Sequence, residues 1–227
     1  MKKFVLAAAA TAVFAGGALA ADLPPPPPPP EAQPAFSWEH TIYIGLQGGY
    51  GVGYKDWLYN SGLGGDNIHQ VRGWLAGVQA GINVQRANFV IGTEADWNWS
   101  NVEGSALCPP PDLMCTSQIN WIATWTARAG VMAGRTLLYV EGGFAAANET
   151  FVDTYTGIVP PIVTAETVMN YGWTVGGGVE LKVGSSMAID LEYSYVNFGT
   201  DDYIVGASPL TVTQSLHMLR FGVNRLF

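Results

Sequence analysis

From Trp38 onward, apolar and polar side chains alternate with a period of two in one stretch after another. The last stretch shows it most clearly. Leu219, Phe221, Val223 and Phe227 share one face, and Met218, Arg220, Gly222 and Asn224 share the other. Further back, Ile189, Leu191, Tyr193 and Tyr195 oppose Asp190, Glu192 and Ser194. Phe89, Ile91, Ala95 and Trp97 oppose Gly92, Glu94, Asp96 and Asn98. Trp121, Ala123, Trp125, Ala127 and Val131 oppose Thr124, Thr126, Arg128 and Gly130. Successive side chains of a β-strand point to opposite faces, so the pattern predicts strands with two unlike faces. Enrichment in β-branched and aromatic residues places eight of them at about 40–54, 71–85, 88–101, 117–133, 137–150, 169–183, 187–199 and 213–227.

The connections alternate in length. Arg86-Ala87, Gly134–Thr136 and Val183–Ser186 are short; the segments at about 55–70, 102–116, 151–168 and 200–212 are long. A soluble sandwich has no reason to alternate in this way. An outer-membrane barrel does, because its periplasmic turns are short and its extracellular loops longer. An even number of strands returns both ends to the periplasm.

Composition decides which face meets what. Only 12% of residues are charged, against about 25% in soluble domains. After the first twenty residues no uncharged apolar run approaches the roughly 18 residues of a membrane helix. A soluble barrel would bury its apolar face. Here the polar face carries charges in mid-strand beside Gly and Thr, which fits a narrow, wet or salt-bridged lumen with lipid outside. The predicted fold is all-β: an eight-stranded antiparallel transmembrane β-barrel with short periplasmic turns and four long extracellular loops. Tyr50, Tyr54, Trp57, Trp74, Trp97, Trp99, Trp121, Tyr139, Tyr171, Trp173, Tyr193 and Tyr195 are assigned to aromatic girdles at both membrane interfaces.

The N-terminus divides from the barrel. Lys2 and Lys3, an apolar stretch from Phe4 to Ala15 and Ala18-Leu19-Ala20 mark residues 1–20 as a signal peptide. Residues 21–37 form a leader with an unbroken proline run from Pro24 to Pro30, read as a semi-rigid periplasmic spacer. Residues 38–227 form the barrel. Removing Lys2 and Lys3 takes the formal charge from -8 to -10, which argues against nucleic-acid binding. Cys108 and Cys115 share one Pro-rich stretch of an exported chain, so a local disulfide is expected. Metal binding is the alternative, but His40, His69 and His217 are scattered.

These residues resemble a known family. Tyr43-Ile44-Gly45 with Gly48-Gly49-Tyr50, Gly92-Thr93-Glu94-Ala95-Asp96, Ala127-Arg128-Ala129-Gly130 and Gly142-Gly143-Phe144-Ala145 come in order along the chain. Gly172-Trp173-Thr174-Val175-Gly176, Leu191-Glu192-Tyr193-Ser194-Tyr195 and the terminal Phe221–Phe227 follow. Over residues 38–227 the chain is similar to the small outer-membrane immunogenic, porin-like proteins of alphaproteobacteria, relatives of the membrane domain of outer-membrane protein A. The resemblance implies that Phe227 is the residue recognised by the outer-membrane assembly machinery through the C-terminal strand. The seven-proline run and the cysteine pair depart from the family pattern.

Chemistry is sparse. Glu94, Asp96, Arg128, Glu141, Glu180, Asp190, Glu192 and Arg220 fall on the inward phase, where charges must be paired or hydrated. They are read as a salt-bridged plug; the alternative is a small ion path, which the excess of carboxylates would make cation-preferring. Ser215 and His217 share one outward face, the spacing a lipid-modifying enzyme could use, but no carboxylate accompanies them in that strand. No phosphate loop or cofactor motif occurs, and no metal or cofactor is expected. The long connections carry Asp56, Asp66, Glu103, Asp112, Asp153, Glu166, Asp201 and Asp202, with Lys55 nearly the only base. The function expected is a non-enzymatic structural barrel whose surface loops face lipopolysaccharide and a possible host or cell-surface partner, in contact with outer-membrane lipid around its wall.

Overall fold

The structure, a computed structural model, describes residues 40–59, 66–108, 112–157, 160–205 and 208–227. The signal-peptide and leader assignments to residues 1–37 lie outside the described residues. Eight strands run in chain order: β1 (His40–Tyr59), β2 (Asp66–Arg86), β3 (Phe89–Cys108), β4 (Leu113–Ala133), β5 (Thr136–Tyr155), β6 (Ile162–Lys182), β7 (Met187–Val205) and β8 (Ser208–Leu226). Each pairs antiparallel with its sequence neighbours, and β1 pairs with β8 to close the barrel. Closure leaves no strand without a partner within the lipid, where an unpaired backbone group costs several kcal/mol.

The register is staggered. Hydrogen-bonded partners followed from Ile44 through Ala80, Ala95, Trp125, Phe144, Trp173, Asn197 and Ser215 return to β1 at Tyr54, ten residues further along. For eight strands such a stagger tilts them by about 40° and leaves an interior that side chains can fill. Ile42, Ile44, Ile91, Val140, Phe144, Leu191, Phe221 and Val223 are exposed to the outside, as a lipid-facing band requires.

Strand ends differ from the sequence reading. The ladders continue through most of the segments assigned to long loops: β3 and β4 stay paired out to Cys108 and Leu113, and β4 and β5 out to Leu113 and Tyr155. Once a hairpin has started, each further rung satisfies backbone groups of both strands, whether or not lipid surrounds it. Outside the lipid both faces are polar, so composition there looks like loop. The β2–β3 turn is Ala87-Asn88, one residue later than the Arg86-Ala87 read from sequence.

One seam is short. β6 and β7 pair only from Trp173↔Asn197 to Lys182↔Ala188, ten residue pairs. Past that point β6 continues against β5 and β7 against β8. A bulge at Asn197/Gly199 marks the parting, with Gly199 at φ +77° and its N–H donating to the Asn197 side chain at 2.8 Å.

Candidate functional site

The inward positions fill the barrel in layers. Toward the short turns lie Val90, Met132, Leu137, Ala188 and Leu226, all buried. The charged residues come next. Beyond them a second apolar layer is built from Val71, Leu75, Val102, Ile119, Ile122, Val196, Phe198, Leu216 and Met218. Period-two reasoning made the inward face polar throughout, and this layer corrects it. Polar groups return above it: Lys55, His69, Ser117, Glu149, Asn170 and Gln214 are all buried.

Glu94, Asp96, Arg128, Glu141, Glu180, Asp190, Glu192 and Arg220 all point inward, and none is more than 5% exposed. Two arginines organise them. Arg128 Nε donates to Asn83 Oδ1 at 2.9 Å, Nη1 to Glu94 at 3.1 Å and Nη2 to Glu180 at 2.9 Å. Its guanidinium lies over the rings of Tyr43 and Tyr139, 4.8 Å from each centroid, within reach of cation–π attraction. The two phenols donate in turn, Tyr43 to Glu94 and Tyr139 to Glu192. Arg220 Nη1 donates to Asp96 at 2.9 Å and Nη2 pairs with Glu192. Asp96 also accepts from Gln47 at 2.5 Å and Thr124 at 2.6 Å.

Both tyrosines depend on glycine. A Cβ at Gly81 would strike the Tyr43 phenol, and one at Gly178 would meet the Tyr139 phenol oxygen at 2.7 Å. Small residues across the ladder thus make the space in which Arg128 is stacked. The sequence pattern puts Tyr139 in an interface girdle; the structure makes it a lumen residue, 5% exposed.

Two carboxylates have no arginine. Asp190 accepts from the amides of Gln79 and Asn224, each at 2.9 Å. Glu141 accepts from Thr126 at 3.3 Å, and Glu94, Glu141 and Glu192 each bring one oxygen within 4.8 Å of the others. Six carboxylates face two guanidiniums in this layer.

Sequence reasoning missed a second ion pair. Lys55, assigned to an outer loop, is fully buried, pairs with Glu149 of β5 and lies 5.2 Å from the Phe151 ring centroid. The apparent end of β1 hid it, since Lys55 is inward only if the strand continues past Tyr54. Cys115 is buried and disulfide-bonded; the side chain of Cys108 lies outside the described residues. Phe227 is 71% exposed, with its N–H donating to the Ile42 carbonyl at 2.8 Å. His217 does not face Ser215 as a catalytic pair would: its Nδ1 is hydrogen-bonded with the Tyr193 hydroxyl at 2.7 Å, and its ring lies against Tyr195.

The outer wall is asymmetric. Exposed Trp and Tyr side chains, among them Trp74, Trp97, Trp99, Trp125, Tyr171, Trp173 and Tyr193, all lie well away from the short turns. The turn end carries Phe89 and Phe227 with exposed Arg86, Arg135 and Arg225. Among the described residues, exposed Trp and Tyr side chains thus form a girdle at one interface, where the sequence pattern predicts two. At the far end Asp56, Glu103, Asp112, Glu166, Asp201 and Asp202 are exposed, with Arg72 opposite Glu103 in register.

The model of the outer membrane protein beta-barrel domain family matches residues 6–223. The chain is 28% identical to the 31 kDa outer-membrane immunogenic protein of Brucella melitensis biotype 1, with all of both chains covered. It is 26% identical to the 22 kDa outer membrane protein of Rhizobium leguminosarum bv. viciae, covering 86% of this chain and 81% of that one. Among solved structures it is similar to Ail, the attachment invasion locus protein of Yersinia pestis. That match has 12% identity and a TM-score of 0.42, covering 83% of this chain and 99% of Ail.

Proposed function

We propose that this chain, which belongs to the outer membrane protein beta-barrel domain family of Gram-negative outer membranes, is a sealed structural barrel that supports the envelope and presents an acidic outer face. The observation that carries the proposal is the layering of the lumen. Ile122, Leu216 and Val102 are 0% exposed and Leu75 3%. They lie beyond the charge network, and Val90 and Leu137 close the other end at 1% and 0%. An ion entering would have to shed its water in an apolar layer. Among the described residues these buried side chains fill the lumen in layers, and His217 is held by Tyr193 rather than by a carboxylate, which supports a non-enzymatic reading.

Purified barrel reconstituted in liposomes should cause no swelling in small sugars, and planar bilayers should show no unitary current. A narrow cation-preferring channel is the second reading, favoured by the surplus of carboxylates in the network. A steady cation-selective current that shrinks on Glu141→Gln would establish that reading and remove the first.

The outer contact surface is acidic, so any cell-surface partner would meet it through basic groups or bridging divalent cations. Recognition by the assembly machinery would fall to Phe227, and its 71% exposure just past the end of β8 supports that reading.

A further inference from the structure

The lipid-facing wall is not evenly covered. Over β2–β5 it is indented by a groove of about 750 Å³, with Ile82, Val84, Ile91 and Val140 as its sides and Ala127 and Ala129 as its floor. Arg128 and Glu141 also border it, but their side chains are turned into the lumen. Two smaller hollows of about 340 and 170 Å³ continue it along the wall as far as Trp125. The Trp125 indole N–H donates to Thr93 Oγ1 at 2.9 Å, and that hydroxyl donates to the Thr126 carbonyl at 2.8 Å. The polar atom of the ring is therefore satisfied where the hollows end.

The headgroup end is basic. Arg86 follows Val84 by two residues on the same outward phase, and Arg135 caps the β4–β5 hairpin; both are exposed. The turns that flank the groove, Ala87-Asn88 and Gly134-Arg135, carry no carboxylate. Among the described residues the exposed acidic side chains are gathered at the opposite end of the barrel.

We propose that this groove is a binding site for one anionic glycerophospholipid of the periplasmic leaflet, with an acyl chain along Ala127 and Ala129 and the phosphate between Arg86 and Arg135. Lipid tails surround the whole barrel and are as apolar as its surface, so apolarity alone selects nothing. Selection comes from two other sources. A floor of small residues lets a chain approach closely and gain dispersion contacts. Arginines near the headgroup plane favour negative charge by roughly fivefold each. The site lies outside the wall, so it stands whether or not the lumen conducts.

The test uses the full barrel in nanodiscs of equal phosphatidylglycerol and phosphatidylcholine, followed by native mass spectrometry. The wild type should retain one lipid, phosphatidylglycerol over phosphatidylcholine. Arg86→Gln with Arg135→Gln should lower that preference by about 25-fold, two factors of roughly five. Ala129→Phe, which fills the groove from a lipid-facing position, should lose the lipid while the barrel still shows its heat-dependent shift in gel mobility. Phosphatidylglycerol brominated on the acyl chain should quench wild-type fluorescence more than that of Trp125→Phe. Equal retention of the two lipids, or retention unchanged by Ala129→Phe, overturns the proposal. So does a dimer that Ala129→Phe dissociates, which would give the groove to a second copy of the chain.

Discussion

Arg128 is held by Asn83, Glu94 and Glu180 and lies over two tyrosine rings. Removing one partner of a buried ion pair strands the other, at a cost of about 3–5 kcal/mol. Arg128→Met should therefore lower the stability of the folded barrel by that order, read as an earlier urea midpoint. Arg128→Lys keeps the charge but loses the fork and the stacking, and should fall between the two. A Lys variant as stable as the wild type would show that charge alone matters. That Arg128, Arg220 and the carboxylates point inward could be read from the chain, because each sits among alternating residues whose other face is apolar. The residues that seal the lumen could not. Around Leu216-His217-Met218-Leu219 and Trp121-Ile122-Ala123, apolar side chains occupy both phases, so alternation gives no direction. Tyr43 and Tyr139 were equally obscure, since an aromatic ring fits either a girdle or a lumen. Only the glycines across the ladder, Gly81 and Gly178, decide.

At the scale of elements, the short turns set the hairpins and are not equally relaxed. Gly134 opens the β4–β5 turn at φ +66°, and Ala87 holds the matching position of the β2–β3 turn at φ +54°. A positive φ at the first central position is where hairpins favour glycine. An L-residue with a Cβ there costs roughly 1–2 kcal/mol. Ala87→Gly should thus raise the urea midpoint by the equivalent of about 1 kcal/mol, whereas Gly134→Ala should lower it. No gain from Ala87→Gly would mean that neighbouring contacts set this φ at no cost. The number of strands and the placing of the short turns were legible, because lipid imposes its two-faced pattern over the whole crossing. The outer ends were not. Beyond the lipid nothing in the sequence separates a polar strand from a loop, and the inward turn of Lys55 toward Glu149 went unseen with them.

For the molecule as a whole, the two ends differ in charge and in aromatic content. Arg86, Arg135 and Arg225 occupy the turn end, where long basic side chains can reach headgroups while their stems stay in hydrocarbon. Trp and Tyr occupy the other interface. A barrel so marked has one orientation in an asymmetric membrane.

The short β6–β7 ladder gives the ring a place to come apart. Every other pair of neighbours shares more rungs, and the bulge at Asn197/Gly199 already starts the parting from outside. Opening of a closed sheet has to begin by releasing one pair of strands, and local opening follows the region with fewest bonds to lose. Amide exchange should therefore run fastest inward from Trp173 and Asn197, ahead of the β1–β8 pair that joins the chain's ends. Earlier exchange at β1–β8 would contradict this. The barrel would then resemble a clasp whose catch lies three-quarters of the way round the ring, away from the β1–β8 pair that closes it.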